Sequence, residues 1–235
     1  MARQATLGSA PFTGFADTRR RFFRSLAKNQ SRDWFAAHKD EYQRDWLEPM
    51  HALLWDVRAR LVETYGDAAL DPPKVFRIHC GVRFARDKTP YKTHIGSDIP
   101  IAGRGGDGVP GPVALYLQLG LENYAGAGDW IMTPACLASF RTALLDERRG
   151  GQVARLLARL EKAGFTVGSH DAPKKVPRGF DAAHPRAELA KRKGLVVGLP
   201  ELPVDLLASR DLVDWLAKHA RSAAPLVEWL LALPA

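Results

Sequence analysis

The sequence predicts an α+β fold, a mostly antiparallel sheet flanked by N-terminal and C-terminal helices in a single domain. Three observations carry that expectation. Helical spacings come first, period-two alternation occupies the middle, and helical spacings return at the end. That order lacks the strand-by-helix alternation of a parallel βαβ sheet. With 235 residues, 46% of them hydrophobic, and six Trp, the chain can bury one sizeable core and is not a disordered protein. No repeat, linker or composition shift divides it. Residues 1–12 read as an extended or disordered N-terminus and residues 13–235 as the domain.

The elements follow in order. Asp17 caps a helix carrying Phe22, Phe23 and Leu26, and Ser31 caps the next, with Phe35, His38 and Tyr42 at helical spacing. His38 on that aromatic face reads as a packed residue rather than a ligand. Pro49 suits the first position of a third helix, whose stripe of Met50, Leu53, Leu54, Val57 and Leu61 ends at Gly66.

From Val75 to Phe84 the residues alternate. Phe76, Ile78, Cys80, Val82 and Phe84 fall on the side expected to face the core, with Arg77, His79, Gly81 and Arg83 opposite. A turn over residues 85–90 leads into a second extended run, where Lys92 and His94 share a face. Paired as a hairpin, the two runs gather Arg77, Arg83, Arg86, Lys88 and Lys92 against one nearby acid, Asp87.

Gly103-Arg104-Gly105-Gly106-Asp107-Gly108 spells GxGxxG, but Val109-Pro110-Gly111-Pro112 follows. No helix can begin there to meet a pyrophosphate, so a surface loop is expected and no dinucleotide cofactor. Val113–Leu119 is the next strand, with Tyr116 and Gln118 outward, and the glycine-rich run from Tyr124 to Ile131 is its partner. Those glycines imply either a bulged edge or a floor that something approaches closely.

Thr133-Pro134 opens a helix through Leu137, Phe140 and Leu144. A further helix over Val153–Leu160 stops at Gly164, and Phe165–Val167 and Leu195–Leu199 are short strands. Two helices, around Leu212–His219 and Leu226–Leu233, close the chain.

Charge and composition narrow the function. Thirty-four Lys and Arg against 26 Asp and Glu give a formal net charge of +8, which favours anionic partners, a small phosphorylated ligand or nucleic acid. The two cysteines, Cys80 and Cys136, are too few for a disulfide framework and read as buried thiols. No stretch has membrane length and the N-terminus has no signal-peptide core, so a cytoplasmic protein with no membrane partner is expected. No HExxH or CxxC occurs, and His79 and His94 lie among cations, so no metal is predicted.

The motifs RIHCGVRFARDKTPYKTH, KKVPRGFDAAHP and NQSRDWFAAHKDEY resemble the DUF2461 family over most of the chain, from about Phe12 to the C-terminal helices. The resemblance implies a bacterial-type intracellular protein and brings no activity with it. In one place this chain departs from the family pattern. Cys80-Gly81 stands where an Arg-Asp pair usually precedes Val-Arg-Phe, so a site built on that pair is altered here.

The candidate ligand-binding residues are Arg77, Arg83, Asp87, Lys88, Tyr91, Lys92, Tyr116, Lys175, Arg178 and His184. Arg forks hold phosphate or carboxylate bidentately, Lys adds mobile charge, and Tyr stacks or hydrogen-bonds. Asp87 can equally pin the turn, and His184 beside Asp181 can act as a general base or close a capped turn. Lys175, Arg178 and His184 are expected to fold over the basic hairpin, anchored by Phe180. Anion binding in a basic pocket on one sheet face is the first reading. An enzyme acting on an anionic substrate is the second, and a structural network of neutralised charge is the third.

Overall fold

Side-chain caps set the N-terminal helices of the computed structural model, which describes residues 10–80, 89–101 and 113–234. Before helix α1 (Arg21–Lys28), Asp17 accepts from the amides of Arg21 and Phe22, both at 2.9 Å, and from the Trp46 indole at 3.3 Å. Ser31 caps α2 (Arg32–Ala37) by accepting from the Trp34 amide. His38 stacks on Trp34 and shares its Nδ1 with the Trp34 carbonyl, as a packed histidine would.

Helix α3 (Lys39–Tyr42) runs through a π-helical turn, Gln43–Leu47, into α4 (Glu48–Tyr65). Pro49 therefore does not begin a separate helix. It lacks the N–H that an unbroken α-helix would use, and the wider turn before it absorbs that loss. The same turn sends Trp46 fully into the core. Gly66 ends α4 with a φ of 77°, and a short 3₁₀ turn, Asp67–Ala69, follows.

The sheet has six strands in the order β1-β2-β3-β4-β6-β5, every described pair antiparallel. They are β1 (Lys74–Val75), β2 (His94–Pro100), β3 (Val113–Gly120), β4 (Tyr124–Asp129), β5 (Thr166–Gly168) and β6 (Leu195–Gly198). Ile95, Ile99, Leu115, Leu117, Leu119 and Val197 enter the core, where α4 packs on β2 and the C-terminal helix α8 (Asp211–Leu231) on β3 and β4. The period of two then places every intervening side chain on the opposite face. Between the strands lie α5 (Pro134–Leu145), capped by Thr133 as its sequence indicates, α6 (Glu147–Lys162) and the short α7 (Ala187–Ala190).

Three further expectations need correction. The regular strand begun at Lys74 ends at Val75; Phe76 still donates to the Gly96 carbonyl, and the next pairing is a bridge between His79 and Tyr91. Three residues on one side of that gap face five on the other, so strict alternation cannot survive it. Ile78 is buried, but Phe76 and Cys80 are only half-buried, whereas Cys136 is buried as expected. Second, one helix, α8 (Asp211–Leu231), replaces the two expected at the end of the chain. Its buried stripe runs through Leu212, Leu216, Ala220, Ala223, Val227 and Leu230 without a break at Pro225. Apolar burial on both sides outweighs the one hydrogen bond that the proline removes. Third, the loop after β5 is held at the end of α5 by Arg186.

Val82, Phe84 and the Gly103–Gly108 motif lie outside the described residues. Among the described residues no helix is long and apolar enough to cross a membrane. The Asp17 carboxylate joins α1 to Trp46 through three hydrogen bonds, so Asp17→Ala is expected to cost about 2–3 kcal/mol. Urea unfolding midpoints of the variant and the parent protein measure it.

An open sheet face with an aromatic row

The face of the sheet turned away from α4 and α8 is built as lateral rows. One row runs Lys74, Asp98, Tyr116, Gly126, Gly198, Thr166 across all six strands. The next runs Phe76, Gly96, Gln118, Tyr124. Each row sets side chains that reach out next to glycines that leave space beside them.

The aromatic rings use that space. A Cβ on Gly96 would meet the Tyr116 Oη at 3.1 Å and Phe76 at 3.4 Å; one on Gly126 would meet the Tyr124 Oη at 2.6 Å. Gly198 lies against the same Tyr124 ring. The rings therefore lie down over neighbouring glycines, which covers backbone that would otherwise be bare. The alternatives raised by this glycine-rich strand resolve into a floor, and the floor is occupied by the protein's own rings. Gly128 differs: at φ 140° its Cβ would fall 2.3 Å from the Leu195 carbonyl oxygen, so this site of close strand approach admits no side chain.

The result is a row of three rings. Phe76 and Tyr116 have centroids 6.2 Å apart and planes 25° apart, and Tyr116 and Tyr124 are 6.1 Å apart at 46°. Tyr124 remains 37% exposed, and Phe76 and Tyr116 are half-buried, so the row keeps accessible surface. Burial raises the pKa of both tyrosines; at Tyr116 the nearby Tyr124 and Asp98 add to it. The Tyr116 hydroxyl donates to Gln118 Oε1 at 3.0 Å.

Asp98 stands second in the first row, directly between Lys74 and Tyr116, and is only 5% exposed. Its Oδ1 is fully buried and accepts no hydrogen bond. Burial pushes its pKa up to about 6, against a smaller lowering from Lys74. Lys74 is exposed and forms no ion pair with it. Along β2, His94 lies on the same face, its pKa lowered first by burial and then by Lys92, with Glu122 opposing.

The sequence-predicted site residues among those described separate. Arg77 is exposed, Lys92 is half-buried, and neither is in an ion pair among the described residues. Tyr116 joins the aromatic row. Tyr91 does not: its ring stacks on Phe35 in the core at 4.5 Å, and the Gln30 amide brackets its backbone, accepting from its N–H and donating to its carbonyl. Arg83, Asp87 and Lys88 lie outside the described residues, as does Arg86.

Lys175, Arg178 and His184 follow β5, the edge strand opposite β1, and four strands intervene. Phe180 is buried as an anchor, but next to His184, and the loop is held by Arg186. Arg186 donates to the Leu144 carbonyl at the end of α5 at 2.6 Å and to Glu147 at 2.8 Å, while His184 Nδ1 accepts from the Arg186 amide. A cation at the C-terminus of α5 satisfies the helix end and its dipole, and this fixes the loop there instead of over the hairpin. Lys175 and Arg178 are exposed on it.

Sequence reasoning missed Asp98, Phe76 as a surface ring, and Tyr124. Asp98 and Tyr124 both occupy outward positions of period-two strands, which was the available signal.

Fold and face together define an α+β protein with a half-open antiparallel sheet and an aromatic surface. The chain belongs to the family described as Conserved hypothetical protein (DUF2461), whose model matches residues 19–229. No curated protein and no solved structure matches it.

Asp98 makes stability depend on pH. Its carboxyl binds a proton more tightly in the folded chain, near pH 6, than in the unfolded chain, near pH 4. Its contribution is full below the unfolded pKa and is lost as pH rises through 6. The folded protein is expected to lose about 2 kcal/mol from this group between pH 4 and pH 8. Asp98→Asn should remove that slope and match or exceed the parent at pH 8; urea midpoints at several pH values test it, and identical profiles for the two proteins would contradict the assignment.

Proposed function

We propose that this protein binds single-stranded nucleic acid on the open face of its sheet, in the cytoplasm. The observation that carries the reading is the row Phe76, Tyr116, Tyr124, three accessible rings at steps of about 6 Å on a rigid antiparallel surface. Bases splayed from a single strand stack on such rings, each contributing about 1–3 kcal/mol, and any base can do so because every base has a π-face. Phosphates need cations at the margin of the platform. Lys74 stands beside Asp98 at the end of the first row, and Arg77 and Lys92 flank the start of the hairpin, unpaired with any described carboxylate. The formal net charge of +8 favours the same class of partner over a neutral one. This keeps the anionic ligand expected from the sequence but seats it on rings as much as on charges.

Fluorescence anisotropy of a labelled single-stranded DNA dodecamer tests the reading. Affinity is expected to fall with salt at a log–log slope of about −2, three cations each contributing about −0.7. Tyr116→Ala and Tyr124→Ala should each weaken binding by about 5- to 150-fold with the salt slope unchanged, whereas Lys74→Ala should lower the slope by about 0.7. Absence of binding at low salt, or ring variants that bind as the parent does, would overturn it.

A further inference from the structure

Asp98 Oδ1 is a fully buried acceptor with no donor, on a face where its neighbours Tyr116 and Gln118 are already hydrogen-bonded. Its cross-strand neighbour Tyr116 spends its hydroxyl proton on Gln118, and Gln118 Nε2 donates to the Glu122 carbonyl at 3.5 Å. Lys74, directly opposite on β1, stays in solvent. Leaving a carboxyl oxygen buried and unsatisfied costs stability, and such a group in a native fold calls for a reason, of which a donor brought by a ligand is one. The backbone around it is fully engaged in the β1–β2 and β2–β3 ladders, so the missing donor does not come from there. What lies beside it is the aromatic row.

The chemistry of the missing donor is restrictive. A carboxylate accepts only, and a base lying on Tyr116 offers its Watson–Crick edge in the plane of the stack. Guanine presents two adjacent donors there, N1–H and the exocyclic amino group. Adenine and cytosine each set a ring-nitrogen acceptor beside their amino group, and uracil and thymine flank a single N–H with two carbonyls. Those acceptors would repel the carboxylate. We propose that Asp98 is the specificity-determining residue of the aromatic face and that it selects guanine by accepting from N1–H and N2–H of a base stacked on Tyr116. This rests on the reading of that face as a single-strand platform, and it adds a base preference that stacking alone does not supply.

The test uses the full chain and five single-stranded DNA decamers, thymine throughout except for guanine, hypoxanthine, adenine, cytosine or thymine at one central position. The guanine decamer should bind at least about fivefold tighter than the adenine, cytosine and thymine ones, since a bidentate base contact discriminates by about 1–3 kcal/mol. Hypoxanthine keeps N1–H and lacks the amino group, so its decamer should fall between them; this comparison needs no variant and therefore no refolding control. Asp98→Asn should bring the guanine decamer down to the level of the others. Equal affinity for all five decamers, or a guanine preference that survives in Asp98→Asn, overturns the assignment to Asp98 and leaves the platform standing. Failure of every decamer to bind overturns the platform and the assignment together.

Discussion

Ile95 and Ile99 on β2, with Leu115, Leu117 and Leu119 on β3, are all buried on the side where α4 and α8 pack. A one-residue slip in either strand would put this whole apolar set in water, so the register of the two central strands is fixed by burial on one face alone. The opposite face inherits its arrangement from that constraint. Asp98 faces Lys74 and Tyr116, and Gly96 faces Gln118, because their buried neighbours could pair in no other way. The hydrogen bond from Ser97 Oγ to the Leu117 carbonyl, inside the core, agrees with the same register.

On the open face, small and large side chains compensate one another. Glycines weaken a strand by themselves, and here rings from adjacent strands cover them: Tyr116 and Phe76 over Gly96, Tyr124 over Gly126 and Gly198. These rings rest on the glycines and keep accessible surface, so the arrangement that covers the backbone also offers rings for stacking. Asp98 runs against the stability of that surface. Burying a carboxyl with an unsatisfied oxygen is unfavourable, and its raised pKa is the electrostatic record of that cost.

Much of the frame was legible in the residues. Ser31, Thr133, Gly66 and Gly164 mark helix ends because caps act within one turn of their own position. The alternation of β3 declared both its faces, Tyr116 outward included. What escaped depends on partners distant in sequence. The setting of Asp98 between Lys74 and Tyr116 depends on one residue from each neighbouring strand. The strand begun at Lys74 loses its alternation because its partner run carries two more residues between pairings, an excess that no single strand reveals. The position of the Lys175–His184 loop is decided by Arg186 reaching the end of α5, 42 residues away in sequence. Basic residues in that loop suggested a shared pocket, and a helix terminus outcompeted it.

Single strands lying on the rings of this face would leave a photochemical trace. Ultraviolet cross-linking of a DNA dodecamer carrying 5-iodouracil, followed by mass spectrometry of the cross-linked peptides, tests for it directly, because the photoproduct forms with aromatic side chains in stacking contact. Adducts on Tyr116, Tyr124 or Phe76, lost from each position on substitution by leucine, are the predicted result. Adducts confined to rings elsewhere, such as the exposed Trp130 or Trp55, would contradict the account.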